Sequence, residues 1–442
     1  MKPQPSKPVR HARIPSGRFE RFVRVGWLAS EMTLGGLAEG ARRLLGASPD
    51  VRNIFITQAN AQRLARRLSS LRGAAMKLGQ ILSLEGDDYL PQEITGALGI
   101  LRSEAHAMPD AQLRRVLGHA LGKGWEGRFR EFGLDPVAAA SIGQVHYAVA
   151  NDGRELALKI QYPGVARSID SDVDNLASLL RLSRLLPGAF DVSGLLTEAK
   201  RQLRQEADYR AEAAHLRRYR GLLAGDPAFV VPGVHDDLTT PHVLAMDFVR
   251  GTPLDEVGDI SQAARNRIGV HLYRLLFREL FEFRFVQTDP NFANFFLLPN
   301  AEQVALLDLG AGREVPARLS ELYADLFRST IAEDRGGLAA ALEAIGFVAA
   351  DDRRDHVEGL VDFFLIACEP FRHRGAYDFG TSDVPPRVRA AGTDLTFRRG
   401  FYRPPPPATV FLHRKLAGTF LICARLGARL DVHRIIGPFL GA

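Results

Sequence analysis

The sequence predicts an α+β chain in which a small β-containing lobe precedes a mainly helical one, and three observations carry that prediction. Two runs with strand character, QVHYAVA at 144–150 and ELALKI at 155–160, flank Asn151-Asp152-Gly153, a strong hairpin signal. A third apolar run, HVLAMDF at 242–248, reads as another strand. Beyond Gly251 the chain is mainly helical in pattern, interrupted by a segment at 285–312 and by the prolines at 404–407.

Taken in order, residues 1–17 are proline-rich and polar, which predicts a loosely attached start to a basic arm spanning 1–50. From about 52 to 130 apolar residues recur at three- and four-residue intervals, as in ANAQRLARRLSSLRGAAMKLGQIL and DAQLRRVLGHAL, so 51–135 reads as a helical extension. The character changes at Pro136. Residues 136–250 read as the β-containing lobe with a helical insertion from about 168 to 224, and 251–442 as the helical lobe.

With 442 residues, 46% hydrophobic and 24% charged, the chain can bury one large core or two to three smaller ones. No run of about 18 apolar residues is free of charge, so no membrane-crossing helix is expected. The start lacks the apolar stretch of a secretion signal, and Cys368 and Cys423 lack metal-ligand spacing. A reduced, cytoplasmic setting is therefore expected, and high alanine and arginine usage suggests a bacterial source. Residues 1–72 hold 14 Lys and Arg against 4 Asp and Glu, so the overall charge of +6 is a basic end on an acidic body. That asymmetry suggests an anionic surface as partner. Phe19, Phe22, Val23 and Trp27 recur at helical spacing, either as an interfacial helix held peripherally on an anionic membrane or as a stripe packed on the protein's own core. No nucleic acid is expected, since the arm has no recognisable reading module.

Lys159 ends an apolar strand, where a lysine usually packs its stem and keeps its ammonium wet. Two later motifs give it another role. QTDPNFAN carries Asp289 and, five residues on, Asn294; VALLDLGAG carries Asp308. An Asn amide oxygen and an Asp carboxylate are hard ligands suited to Mg²⁺, and a lysine suits phosphate as a point charge. The order resembles a kinase signature of strand lysine, D-x-x-x-x-N and D-x-G. Each piece is weak alone, and in order they point to a site for ATP or ADP with Mg²⁺. Met246 then ends the strand expected to lie against adenine, with backbone groups of Asp247, Phe248 and Val249 on offer. In place of the glycine-rich phosphate cover stands AAASIGQV, whose alanines restrict the close backbone approach that glycine permits.

These residues resemble the UbiB family of atypical kinase-like proteins, in its ubiquinone-biosynthesis branch, over about residues 50–430. The matching motifs are KLGQ at 77–80, AAASIGQV at 138–145, EAD at 206–208, QTDPNFAN and LLDLGA. The resemblance implies a bilobal protein-kinase-like fold with an N-terminal helical extension. It also implies Mg-dependent ATPase or phosphoryl-transfer activity on a small molecule or lipid, or else a nucleotide-gated scaffold with negligible turnover. Ubiquinone-biosynthesis proteins or lipid precursors would be its partners. It makes Lys159 the nucleotide lysine, Glu212 its ion-pair partner, Asp289 the catalytic residue, and Asn294 and Asp308 the metal ligands. Ala138, Ala139, Ala140 and Ser141 become the phosphate cover, and Lys77 and Gln80 face Glu206 and Asp208 in a regulatory extension. Gln-Thr-Asp replaces the usual bacterial His-Ala-Asp, resembling the mitochondrial-type branch; Leu309 replaces the Phe of D-F-G, and Thr288 stands where kinases carry Arg.

Overall fold

The computed structural model describes residues 10–11, 106–140, 142–182, 193–289, 291–401 and 403–441. All of the basic arm except residues 10–11, most of the helical extension with Lys77 and Gln80, and Ser141 lie outside the described residues. The chain divides into two compact units, one holding the described residues up to Ala214 with Gly233–Phe248, the other His215–Pro232 with Val249 onward.

In the first unit Arg10–His11 pairs with His106–Ala107, and helix α1 (Asp110–Leu121) follows, burying Leu113, Leu117 and Leu121 at the spacing the sequence shows. Expected helix to about residue 130 gives way earlier: Phe129–Phe132 is a strand, β1. Gly122 and Gly124 both take positive φ and end the helical run, and Trp125 then packs edge-on against Phe132 at 4.9 Å, fixing the new direction. Strands β2 (Gly143–Ala150) and β3 (Glu155–Gln161) form the predicted hairpin, with Gly153 at φ 92° and Val145 opposite Lys159. β4 (Val243–Asp247) closes the sheet antiparallel to β3, setting Leu244 beside Lys159. Helices α2 (Val165–Leu182), α3 (Ser193–Glu206) and α4 (Tyr209–Leu222) follow, α4 counting with this unit as far as Ala214.

Gly143 starts β2 where nothing larger fits: a Cβ there would run into the Ile160 carbonyl and the Tyr209 hydroxyl. One residue on, Gln144 is buried, its Oε1 accepting the Met108 amide at 2.9 Å and its Nε2 donating to His146 Nε2 at 2.6 Å. The other ring nitrogen, Nδ1, donates to the Gly133 carbonyl at 2.8 Å. Both ring positions are thus used in the neutral form, and burial pushes the His146 pKa down to about 4.

The second unit has α5 (Gln262–Phe277) as its central helix, running into a π-helical turn at Arg278–Phe283 that Arg284 ends at φ 48°. Two short antiparallel pairs follow: β5 (Phe285–Gln287) with β8 (Gly312–Glu314), and β6 (Phe295–Leu297) with β7 (Val304–Leu306). Helices α6 (Ala317–Ile331) and α7 (Val410–Leu426) contribute to a core rich in aromatic side chains, with Phe327 and Phe371 rings 4.9 Å apart beside Tyr273, Phe277 and Phe379. Cys368 and Cys423 are free thiols in this core, and burial raises both pKa values, that of Cys368 to about 12. Among the described residues no helix is long and apolar enough to cross a membrane.

Two outcomes follow for stability. Gly143→Ala should cost about 1–3 kcal/mol by overpacking, read as a lower urea midpoint with unchanged m-value, and an unchanged midpoint would contradict the tight approach. The second concerns acid. His146 is held below its unfolded pKa of 6.5, so the unfolded chain binds protons that the folded one refuses. Its contribution is complete above pH 6.5 and is lost as pH falls toward 4, at up to about 1.4 kcal/mol per unit. His146→Gln should flatten the dependence of unfolding free energy on pH in that window, and an identical slope would rule out this origin.

Candidate functional site

Each unit carries half of the constellation expected from the sequence. In the first, Lys159 is buried rather than snorkelling: it is 7% exposed, and its Nζ donates to both Glu212 oxygens at 2.8 and 3.0 Å. Glu212 is 1% exposed, and the Tyr209 ring lies 5.5 Å from the ammonium. The sequence builds this locally. Asp208 breaks the helical run after α3 and caps α4, its Oδ1 accepting the Ala211 amide at 3.0 Å, and the new helix starts with Tyr209 and Glu212 in its first turn. Glu206 and Asp208 therefore lie before the helix that bears Glu212, and the KLGQ segment expected opposite them is outside the described residues.

Ala138 and Ala139 form a two-residue strand paired with β2, both exposed, and the Ala140 amide donates to the Gly143 carbonyl at 2.9 Å. The alanine segment is thus a pinned, extended edge rather than a loose loop. At the end of β4, Asp247 has structural work. Its carboxylate accepts the Gly233 amide at 2.6 Å and meets His235 Nε2 at 2.8 Å, while its own amide donates to the Gly233 carbonyl. The Phe248 amide donates to Glu155. Of the backbone donors expected to face adenine, those of Asp247 and Phe248 are already used. Met246 is buried in the sheet.

The second unit builds its half around a side chain that motif reading passed over. Gln287, at the end of β5, accepts the Asp289 amide on Oε1 at 2.7 Å and donates from Nε2 to the Asp308 carbonyl at 3.0 Å. One amide therefore sets the segment bearing Asp289 against the segment bearing Asp308. Thr288 adds two bonds to the Ala311 carbonyl, from its amide at 3.1 Å and its hydroxyl at 2.9 Å. Asn294 donates from Nδ2 to the Asp289 carbonyl at 3.1 Å and to Asp289 Oδ2 at 3.4 Å, so the nitrogen end of its carboxamide faces Asp289. Leu309 is buried where the sequence departs from D-F-G, and its carbonyl meets His215 Nδ1 at 2.9 Å.

Behind Gln287 lies a buried charge pair. Glu279, 0% exposed, meets Lys415 Nζ at 2.7 Å, accepts the Tyr219 hydroxyl at 2.7 Å and takes the Gln287 amide at 3.4 Å. Burial raises the Glu279 pKa, opposed by the Lys415 charge, and the Tyr219 pKa is raised by burial and by Glu279. Beside Lys415 on α7, Arg414 places Nη2 3.9 Å from Asp289 Oδ1. Two adjacent cations on the buried side of the apolar run FLHRKLAGTFLICARL were the available signal for these partners. Among the described residues no three or more His, Cys, Asp or Glu gather as a metal cage. An Asn oxygen with one carboxylate suits Mg²⁺ that takes its other ligands from phosphate and water.

Removing one member of the inner pair should be costly. Lys415→Met would strand Glu279 and is expected to cost about 3–5 kcal/mol, whereas Lys415→Met with Glu279→Leu should recover most of that loss in a denaturant double-mutant cycle. Additive losses would mean that the two side chains do not depend on one another.

With this geometry in place, comparison with known proteins is informative. Residues 100–342 match a family model described as the ABC1 atypical kinase-like domain. The chain is 40% identical over 437 residues to the atypical kinase COQ8B, mitochondrial, of Rattus norvegicus, covering 97% of this chain and 81% of that protein. It is 35% identical over 431 residues to the atypical kinase COQ8, mitochondrial, of Saccharomyces cerevisiae, covering 97% and 85%. Among solved structures it is similar to the complex of Rv3197 with erythromycin from Mycobacterium tuberculosis, with a TM-score of 0.60 and 26% identity over 86% of this chain and 95% of that one. The mitochondrial, eukaryotic relatives overturn the expectation of a cytoplasmic protein of bacterial source. Alanine and arginine usage does not by itself distinguish a bacterial from a eukaryotic source.

Proposed function

The chain belongs to the ABC1 atypical kinase-like family, the UbiB proteins, and on that premise we propose that it binds Mg–ATP and acts in ubiquinone biosynthesis, hydrolysing ATP or transferring its terminal phosphoryl group to a small molecule or lipid. The observation that carries the reading is the Lys159–Glu212 pair. A lysine buried in a sheet and held by both oxygens of one carboxylate has its Nζ fixed in place, which is what a nucleotide phosphate requires of it. Asp289, oriented through its amide by Gln287 and through its carboxylate by Asn294, accepts the proton of the attacking hydroxyl or water. Asn294 and Asp308 would hold Mg²⁺, which when bound neutralises phosphate charge.

The positions of Ala138 and Ala139 favour a second reading, a nucleotide-gated scaffold with negligible turnover. A paired alanine edge presents Cβ atoms where glycine would let phosphate reach the backbone. Steady ADP release that rises with an acceptor separates the enzyme from the scaffold.

The test of the site is thermal. Mg–ATP at about 100 times its Kd should add about 2.7 kcal/mol to the stability of the folded chain. Asp308→Asn should remove nearly all of the Mg²⁺-dependent part, as should chelation of the metal. A full shift in the variant would exclude Asp308 as a ligand. Ala139→Gly is expected to alter the relative affinities for ATP and ADP or the turnover, and identical values for all three would assign the alanine edge a purely structural role.

A further inference from the structure

Helix α7 carries two consecutive cations into the interior, and only one is neutralised at contact distance. Lys415 is matched by Glu279 at 2.7 Å. Arg414, 8% exposed, is not: Asp289 Oδ1 lies 3.9 Å from its Nη2, beyond hydrogen-bond reach, and neither Nε nor Nη2 has a hydrogen-bond partner among the described residues. Those two nitrogens form one edge of the guanidinium, the fork that grips an oxyanion through two parallel N–H bonds. A buried charge with an idle fork is unfavourable unless a ligand fills it. Its backbone lies within a 17-residue helix, next to the Lys415 that Glu279 pairs.

We infer that the Nε–Nη2 edge of Arg414 binds the oxygens of the phosphoryl group transferred at Asp289. The inference rests on the ATP-dependent reading above and adds a residue to it. The acceptor oxygen, from water or an alcohol, bonds to the terminal phosphorus as the bond from phosphorus to the β–γ bridging oxygen breaks. ADP leaves with that electron pair, and the acceptor proton passes to Asp289. Arg414 gives up no proton; it donates two hydrogen bonds to the phosphoryl oxygens while charge shifts across them. Thr288 occupies the place next to the catalytic aspartate where kinases carry Arg, so the guanidinium reaches Asp289 from a distant helix instead.

The test uses the full chain with three probes: sodium phosphate against sodium chloride at matched ionic strength without nucleotide, Mg–ADP, and Mg–ADP with fluoroaluminate as a phosphoryl mimic. Wild type should be stabilised by phosphate over chloride and further by fluoroaluminate over ADP alone. Arg414→Gln should lose both increments while keeping the ADP shift, and Arg414→Lys, which keeps the charge without the fork, should recover only part of them. Turnover, where present, should fall by about 10³-fold in Arg414→Gln, the range over which an arginine acts on a transferring phosphoryl group. A wild type indifferent to phosphate and fluoroaluminate overturns the proposal without recourse to any variant, as does an Arg414→Gln chain that keeps both increments. An ADP shift with no oxyanion response leaves the nucleotide reading standing and removes Arg414 from it. An Arg414-dependent phosphate response with no ADP shift supports the oxyanion site and removes the nucleotide.

Discussion

A charge taken out of water is costly unless an opposite charge meets it at contact, and each unit of this chain contains one buried pair that satisfies this. In the first, a sheet strand and the start of a helix are brought into register by the need to place Lys159 against Glu212. In the second, the π-helical turn after α5 and the middle of α7 are joined through Glu279 and Lys415. Such pairs add little net stability compared with apolar packing of the same volume. Their effect is selective: a misregistered strand or a helix turned by one residue leaves a charge stranded, so few alternative packings survive.

The second pair bears on the chemistry through a short chain of contacts. Glu279 receives the Gln287 amide, and the Gln287 side chain holds the Asp289 amide and the Asp308 carbonyl. The loop geometry is therefore supported from below by a charge that never meets solvent. Gln287 acts through backbone groups, while the Asp289 carboxylate accepts from Asn294 and the Asp308 carboxylate from the Gly310 amide.

The halves of this architecture were unequally legible. The hairpin around Asn151-Asp152-Gly153, the β4 strand and the pairing of Lys159 with Glu212 could be read from period, turn chemistry and family motif, because each leaves a local mark in the sequence. The strand at Phe129–Phe132 was hidden, since an aromatic pair beside charged residues has no clear period and only the turn glycines upstream betray it. Gln287, Glu279, Arg414 and Lys415 were missed for a different reason. Their meaning depends on partners up to 136 positions away, as for Lys415 and Glu279, and no local pattern records such a distance. The spending of the Asp247 and Phe248 amides could not be read at all, because backbone contacts leave no residue signature.

Gln287 has one more consequence. Where kinases carry an imidazole before the aspartate of this loop, this chain carries Gln287 before Asp289, and a carboxamide has no proton to gain or lose at any pH a protein tolerates. The side chain that links the Asp289 and Asp308 segments therefore does not itself titrate, whereas Glu279, which accepts its backbone amide, can. The buried imidazole of His146, in the other unit, titrates as well. Acid should therefore loosen the first unit through His146 without changing the charge of the carboxamide that joins the two loops of the second.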